Sequence, residues 1–200
     1  MIKKIFIVLV LALGLQVISG CVDCVCGPSR TFVTTIKNLS ASNIDSNLPE
    51  PMITNATVIK AANYGFKMQL VSDKVANNNK RVNWGFIQTA YACSCVEDMY
   101  KPKESVLTLE VFSSNDFDTN RPRNTDLSAY FKVKVGNSLY NIPEYLNYIN
   151  KSSQPFYDPF YWAAFLQTAP SISKKHKFRI KITLSDGRVL ETETAEVHLE

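Results

Sequence analysis

Histidine is scarce in this sequence, and the local motifs that would make it catalytic are absent. The chain contains only two histidines, His176 and His198. Neither lies in a zinc-protease helix, and the sequence has neither a nucleophile elbow nor a phosphate-binding loop. We therefore expect no enzyme activity, no catalytic residue and no cofactor. A hydrolase that uses two carboxylates stays as an alternative, because such a pair needs no local motif.

Runs of one charge are also missing. The sequence has 22 lysines and arginines against 18 aspartates and glutamates, and two of the basic residues, Lys3 and Lys4, stand at its start. The densest basic stretch, 174–177, precedes a strand pattern and is interpreted as a solvated turn. A chain so close to neutrality, with no basic patch, is not expected to bind nucleic acid.

Only one long apolar run occurs, from Ile5 to Leu15. It is too short to cross a bilayer as a stable helix. Lys3 and Lys4 precede it, and small residues follow it just before Cys21, which is the pattern of an export signal. The sequence therefore predicts that the chain is exported from the cytoplasm.

Cys21 is the predicted point of attachment to a membrane. It directly follows Ile18, Ser19 and Gly20, and this stretch resembles a bacterial lipobox. The resemblance implies that signal peptidase II cuts before Cys21 and that its thiol carries a lipid. The predicted organisation is a signal peptide, a lipid-anchored tether and a single β-rich domain, at residues 1–20, 21–29 and 30–200.

The remaining cysteines form two Cys-x-Cys pairs, Cys24 with Cys26 and Cys93 with Cys95. In an oxidising compartment, an even number of cysteines is typical of disulfides. Two cysteines that flank a single residue point to the same side of an extended chain and do not readily bridge each other. We therefore expect one pair to bridge to the other, with the individual partners left open.

A metal site is the alternative for these four cysteines. Two close pairs of thiolates can hold zinc or copper(I). Zinc-binding cysteines are usually separated by about two to four residues, and no histidine lies near either pair. Disulfides are therefore favoured, and no bound metal is expected.

Alternation of apolar and polar residues with a period of two runs through most of the domain and predicts half-buried strands. The polar stretches 40–51, 77–81 and 115–126 are interpreted as loops. Segments 55–61 and 84–93 lean towards strand. The clearest shared faces are Phe32, Thr34 and Ile36; Tyr64, Phe66, Met68 and Leu70; Leu107, Leu109 and Val111; and Phe131, Val133 and Val135.

The segment from Phe178 to Glu193 predicts a β-hairpin. A three-residue loop, Ser185 to Gly187, sets Lys181 opposite Glu191 and keeps the isoleucines on the inner face. Such a loop requires its last residue in the left-handed conformation, where glycine is least strained. After Thr194 the apolar residues change phase, which predicts a bulge.

Two stretches depart from the β pattern and predict short helices. Apolar residues recur at helical spacing between Pro143 and Ile149. Asp158 and Pro159 resemble an N-cap followed by proline at the first helical position, so a second helix is expected directly after them. The predicted fold is mainly β: an antiparallel sandwich, immunoglobulin-like or similar, with two short helices before a C-terminal hairpin.

An aromatic cluster between Phe156 and Phe165 holds the candidate ligand-binding residues, Tyr157, Tyr161 and Trp162. Exposed aromatic rings stack on sugars and anchor interfaces. Core packing is the favoured interpretation of the cluster, because a helix that covers a sheet needs large apolar side chains. The two tyrosines are the residues expected to keep a solvated edge.

A short acidic pattern, Asp116-x-Asp118-x-Asn120, begins like a calcium-binding loop. Arg121 stands where that loop requires glycine, and Leu127 stands where it requires a bidentate glutamate. The stretch is therefore interpreted as a polar turn.

The lipobox, the Cys-x-Cys pair that follows it, the stretch from Ala90 to Cys95 and the C-terminal hairpin together resemble the small uncharacterised lipoproteins of Bacteroidota. The resemblance implies a place in the cell envelope and brings no catalytic residues, since its members have no assigned activity. Surface-exported lipoproteins of that group often carry an acidic run after the lipid cysteine. Only Asp23 is acidic here, so the outer membrane facing the periplasm is expected, with the cell surface as the alternative.

The predicted function is that of a non-catalytic envelope protein that binds a glycan, a peptide or a protein partner. The first alternative is a structural or assembly subunit, such as an adhesin or pilus accessory part, which would donate its last strand or accept one from another subunit. The second alternative is a thiol redox or metal-handling protein that uses the two Cys-x-Cys pairs. These hypotheses differ in the residues that they need, and the structure bears on some of those residues.

Overall fold

Strands dominate the residues that the computed structural model describes, which are 31–50, 52–74, 99–136, 138–151 and 160–200. In chain order the strands are β1 (Thr31–Asp45), β2 (Val58–Ile59), β3 (Tyr64–Lys74), β4 (Met99–Pro102), β5 (Val106–Ser113), β6 (Phe131–Val135), β7 (Ser138–Asn141), β8 (Phe160–Leu166), β9 (Lys175–His176), β10 (Phe178–Leu184), β11 (Val189–Glu193) and β12 (Val197–Leu199). One helix, α1 (Ile142–Lys151), and the short 3-10 turns Ala61–Asn63 and Ser128–Tyr130 complete the described elements.

These strands form three sheets. The largest has six strands in the order β4-β1-β3-β8-β6-β7, and two smaller sheets have the orders β11-β10-β5 and β2-β12-β9. Neighbouring strands are antiparallel except for β1 with β4 and β2 with β12. The predicted β-rich, sandwich-like fold is therefore confirmed.

Aromatic packing joins the six-stranded sheet to the sheet that contains β10. The rings of Tyr64 and Phe178 stack with their centroids 5.2 Å apart, and Phe131 meets Phe178 edge-on at 5.6 Å. The inward residues of β3 and β10 follow the predicted alternation and are buried. Each large apolar side chain removed from water in this way contributes about 1.5–3 kcal/mol to stability.

A buried polar link runs through the same region. The hydroxyl of Tyr64 donates to Oδ1 of Asn43 at 2.9 Å, and Nδ2 of Asn43 donates to the carbonyl oxygen of Ala195 at 3.0 Å. Burial raises the pKa of Tyr64 well above its ordinary value, so the phenol stays protonated and keeps its role as donor. Because each of these buried polar groups has a partner, the link stabilises one arrangement of β1, β3 and the segment after β11.

The C-terminal hairpin has the predicted register. Lys181 lies opposite Glu191 and Ile182 opposite Leu190. The loop closes with the Leu184 amide donating to the Arg188 carbonyl oxygen at 2.9 Å, and Gly187 has a φ of +86°. Both the three-residue loop and its left-handed glycine are confirmed.

The bulge predicted after Thr194 is wrong, because the chain changes sheet there. β12 leaves the hairpin and pairs with β2 on one edge and β9 on the other. Val197 and Leu199 are buried as their phase predicts, whereas Ala195 is exposed. The change of phase thus marks a crossover between sheets.

Three further expectations about strands differ from the structure. The polar stretch 40–51 is not a loop throughout, because β1 continues to Asp45 through its pairing with β3. Leu107 is exposed and Val106 is buried instead, since the pairing of β5 with β10 shifts register at this point. Of segment 55–61, only β2 is a strand.

The first predicted helix is confirmed, and the second is wrong. Tyr145, Leu146 and Ile149 form the buried face of α1, as their helical spacing indicates. The second segment is strand β8, which pairs with β3 on one edge and β6 on the other. Within it, Trp162, Ala164 and Leu166 are buried at a period of two. Pairing along both edges outweighs the local N-cap signal, whose residues lie outside the described part of the chain.

Several predictions concern residues that the structure does not describe. These are the signal peptide, the lipidated Cys21, the four cysteines Cys24, Cys26, Cys93 and Cys95, the candidate Tyr157 and the strand expected at 84–93. Within the described ranges, the chain has no helix whose length and hydrophobicity would suffice to span a membrane.

Candidate functional site

The alternation of β8 divides the predicted aromatic candidates between two environments. Tyr161 points away from the core and is 55% exposed, whereas Trp162 is only 3% exposed. Trp162 meets Tyr145 of α1 edge-on, with ring centroids 5.4 Å apart. Tyr161 therefore has the solvated edge that the sequence predicted. Trp162 packs in the core, which agrees with core packing as the favoured interpretation of the aromatic cluster.

The outward residues of β8 form a trough on the outer face of the six-stranded sheet. Its floor is Ala163, the small residue between Tyr161 and Phe165, and Lys67 of β3 lies directly opposite Ala163. Lys134 of β6 lines the other side. The cleft, which the buried residues Tyr145 and Trp162 also line, has a volume of about 500 Å³. We call this group of residues the outer trough.

One rim of the outer trough comes from the segment after β1. Glu50 and Met52 line the cleft there. The segment is fixed to β1 by two backbone hydrogen bonds, from the Asp45 amide to the Met52 carbonyl oxygen and from the Thr54 amide to the Asn43 carbonyl oxygen, both 3.0 Å. The rim is therefore held against the sheet at the point where Glu50 approaches the cleft.

A cation–π contact orients the exposed tyrosine. The ammonium nitrogen of Lys67 lies 3.8 Å from the centroid of the Tyr161 ring. Such a contact at an exposed site contributes about 0.5–1 kcal/mol. The lysine thus covers one part of the ring and holds it at the trough, while more than half of the tyrosine stays open to solvent.

Gly65 makes room for the second aromatic residue of the outer trough. Gly65 lies opposite Phe165 in the pairing of β3 with β8. A Cβ atom at position 65 would be 2.5 Å from the Ala164 carbonyl oxygen and 3.0 Å from Cδ1 of Phe165. A glycine in a strand interior often marks such a close approach, and here it allows the ring of Phe165 to lie against β3.

The two outer faces of the sandwich carry their charges differently. On the β11-β10-β5 sheet, three lysine or arginine side chains each contact a glutamate, in the pairs Lys177–Glu193, Arg179–Glu191 and Lys181–Glu110. On the outer face of the six-stranded sheet, the described residues provide no salt bridge to Lys67, Lys132 or Lys134. Among the described residues, the outer trough is therefore aromatic and carries lysines that form no salt bridge.

His176 is buried, so the interpretation of its neighbourhood as a solvated turn is wrong. Its Nε2 donates to the Ser173 carbonyl oxygen at 2.8 Å, which leaves Nδ1 to accept from the Ser113 hydroxyl at 2.7 Å. Burial lowers the pKa of His176, although the hydrogen bond to Ser173 opposes the shift. The ring packs among Phe117 and Phe178. His176 lies two residues before Phe178, so the alternation of apolar and polar residues places both side chains on the buried face.

The acidic pattern near Asp118 is a polar turn, as interpreted. Oδ1 of Asp118 accepts from the Asn120 amide at 2.8 Å, and Oδ1 of Asp116 accepts from the Arg123 amide at 2.7 Å. The hydrogen bond from the Tyr130 hydroxyl lowers the pKa of Asp118. Across the described ranges, no three His, Cys, Asp or Glu side chains cluster in a way that would hold a metal ion.

The sequence alone pointed to Tyr161 but not to the rest of the outer trough. Lys67 and Lys134 are ordinary polar positions of two alternating strands, and Glu50 lies in a polar stretch. They meet at Ala163 only because β8 inserts between β3 and β6. The only local indication of this site in the sequence was that both lysines occupy polar, outward-facing positions of alternating strands.

Comparison with known proteins gives a family and no assigned activity. No curated protein matches the chain. Two solved structures are similar to it: BspA_C_mut, at 12% identity and a TM-score of 0.28, and BspA_C_WT, at 10% identity and a TM-score of 0.30. Each comparison covers 80% of this chain and 46% or 50% of the other, so the chain spans about half the length of these structures.

A family model provides the broader match. The model described as "Domain of unknown function (DUF5034)" matches residues 36–195. This range extends from within β1 to the end of the hairpin and includes the strands that form the outer trough. The chain therefore belongs to the DUF5034 family of domains of unknown function.

Proposed function

We propose that this protein is a non-catalytic binding module of the bacterial cell envelope, anchored by a lipid on Cys21 and facing the periplasm from the outer membrane. The observation that supports binding is the outer trough, an open cleft in which the exposed ring of Tyr161 stands beside two lysines that form no salt bridge with the described residues. The lipobox-like sequence before Cys21 supports the anchoring and the location. The proposed ligand is a glycan, a peptide or a protein of the cell envelope.

The arrangement of the outer trough suits recognition. Its residues project from three adjacent strands of one sheet, and sites on such elements are more precise than sites on free loops. Tyrosine contributes a large contact area with few rotatable bonds, so little conformational entropy is lost when a ligand packs on it. A cleft of about 500 Å³ lies within the usual size range of ligand sites.

Binding should depend on Tyr161. The full chain, carried in liposomes through its lipid, is tested against panels of glycans, peptides and envelope proteins, and affinities are compared for the wild type and Tyr161→Ala. We expect a loss of about tenfold in affinity, because truncating an aromatic anchor typically costs more than 1 kcal/mol.

The matched control is Tyr148→Ala. Tyr148 is 54% exposed and stacks on Tyr140 at a centroid distance of 6.1 Å, so it resembles Tyr161 in exposure and in having one aromatic-face contact. It lies on α1, outside the outer trough. Equal affinities for the two variants would place the contact surface elsewhere, and the absence of any ligand from all three panels would contradict the proposed function.

The thiol redox and metal alternatives are tested by the mass of the intact chain. We expect the protein to be four hydrogens lighter than its fully reduced form and to resist alkylation until reductant is added, because Cys24, Cys26, Cys93 and Cys95 form two disulfides in an oxidising compartment. Free thiols before reduction, or additional mass that leaves on denaturation, would instead favour the redox or metal role.

A further inference from the structure

We propose that the outer trough binds acidic glycans, with a sugar ring against Tyr161 and a carboxylate held between Lys67 and Lys134. This inference rests on the proposed function, because it identifies the ligand class of the same site. Three features of the described residues lead to it: the charge of the trough, its shape and the strands that form it.

The charge of the outer trough favours an anion. Lys67 and Lys134 both line the cleft, and no described carboxylate forms a salt bridge with either. The opposite outer face shows that this fold can pair its cations, since Lys177, Arg179 and Lys181 each contact a glutamate there. A cationic, solvent-open patch beside an aromatic ring therefore favours a negatively charged ligand.

The spacing within the outer trough matches a short stretch of sugar units. Neighbouring strands lie about 4.8 Å apart, so Lys67 on β3 and Lys134 on β6 stand roughly 10 Å apart on either side of Ala163. The methyl group of Ala163 leaves the floor low between them. Tyr161 and Phe165 are four residues apart on β8, so they stand about 13 Å from each other, and their apolar surfaces can pack against the C–H faces of neighbouring sugar rings.

The position of the outer trough argues against a peptide ligand. Extended peptides commonly add to the open edge of a sheet, where unpaired backbone groups supply hydrogen bonds. β3 pairs with β8 from Phe160 to Phe165 and β6 pairs with it from Ala164 to Leu166, so the trough lies inside the sheet and away from its open edges. Recognition must therefore come from side chains above the face of the sheet, which suits a ligand rich in hydroxyl and carboxylate groups.

Glu50 limits the charge that the ligand can carry. With Glu50 at the rim, the ionisable residues of the lining sum to +1, from two lysines and one glutamate. The carboxylate of Glu50 can accept hydrogen bonds from sugar hydroxyls, and it repels a densely charged polymer. A glycan with about one carboxylate per bound sugar is therefore favoured over a polyanion such as polyphosphate.

The test uses uronic-acid oligosaccharides and their carboxyl-reduced counterparts, which have the same length and linkage but no charge. Oligomers of galacturonate, mannuronate and glucuronate are titrated into the full chain by calorimetry. We expect at least one acidic oligomer to bind about tenfold more tightly than its neutral counterpart, as charge-assisted hydrogen bonds to lysine would produce. The difference should shrink at high salt.

Matched lysine variants locate the charge effect. Lys67→Gln and Lys134→Gln should each weaken binding of the acidic oligomer and leave the affinity for the neutral one nearly unchanged. Lys101→Gln is the control, because Lys101 is an exposed lysine at the β4 edge of the same sheet, roughly 25 Å from the outer trough. It removes the same charge at a distant position and should bind like the wild type.

The outcomes separate the inference from the proposed function. Equal affinity for acidic and neutral oligomers, an equal effect of all three lysine variants, or tighter binding of polyphosphate would overturn the acidic glycan. Tyr161-dependent binding of a peptide without any oligosaccharide would also overturn it, and the binding function would stand. If no ligand of any class binds, both fail together.

Discussion

Individual polar residues stabilise this fold where the regular pairing of strands ends. β4 pairs with β1 only as far as Thr34, and the next residues of β1 bond to side chains instead. The Glu104 carboxylate accepts from the Thr35 hydroxyl and from the Ile36 amide, and Arg188 donates to the Ile36 carbonyl oxygen at 2.6 Å. Arg188 also contacts Glu104 at 2.9 Å. Two side chains thus satisfy a strand edge that would otherwise be open.

Removing the carboxylate of Glu104 should destabilise the protein. Burial alone would raise the pKa of this group, but the hydrogen bonds from Thr35 and Ile36, with the charge of Arg188, lower it overall. In Glu104→Ala the Ile36 amide loses its acceptor, so we expect the free energy of unfolding to fall by about 1–3 kcal/mol in urea titrations. Asp186→Ala, which removes the exposed partner of Arg188, should cost clearly less, because a solvent-exposed ion pair contributes little. Similar losses in both variants would contradict the role of Glu104.

His176 should make stability depend on pH. Its pKa in the folded protein lies below the ordinary value of 6.5, because burial penalises the charged ring. Below that value the unfolded chain binds a proton that the folded chain does not, so stability is complete above about pH 6.5 and falls as the pH drops towards the folded pKa. Urea titrations between pH 7.5 and 5 should show this decline in the wild type and in His198→Gln, but not in His176→Gln. A decline that survives in His176→Gln would assign it to another group.

The elements differ in how far the sequence alone predicts them. α1, β3 and the C-terminal hairpin were predictable because their deciding features are local: helical spacing, alternation and a glycine that ends a three-residue loop. β8 was not, since the aromatic segment carries a helix-start signal and also alternates. Its strand conformation is decided by β3 and β6, which lie far away in the sequence. The length of β1 was missed for the same reason, because β3 keeps a polar stretch extended.

Deleting residues 196–200 should prevent folding, because β12 is the central strand of its sheet. The deletion removes the buried side chains of Val197 and Leu199 and leaves β2 and β9 without a common partner. We expect the truncated chain to lose its cooperative thermal transition, whereas Glu196→Ala, at an exposed position, should change stability by less than about 0.5 kcal/mol. A truncated chain that unfolds cooperatively would show that β12 is dispensable and free to be donated to another subunit.

At the scale of the whole molecule, the two outer faces have different chemistry. One carries a ladder of ion pairs, and the other carries an aromatic trough whose lysines have no salt bridge among the described residues. The sequence predicted the register of the hairpin and the solvated edge of Tyr161, but not the ion pairs, since Arg179 contacts Glu191 and Lys181 contacts Glu110 of β5. It could not predict that Lys67 and Lys134 flank Ala163, because that depends on the order of strands in the six-stranded sheet. Composition and periodicity specify which residues face outward, and topology decides which of them meet.

The pairing of β2 with β12 also has a consequence for the timing of biosynthesis. Val58 pairs with His198, about 140 residues later in the chain. Contacts between such distant segments form late, because a long loop must close before they can add stability. While the chain is being synthesised, β2 has no completed sheet to join, because β12 is made about 140 residues later. The sheet of β2, β12 and β9 can therefore form only after β12 has been synthesised.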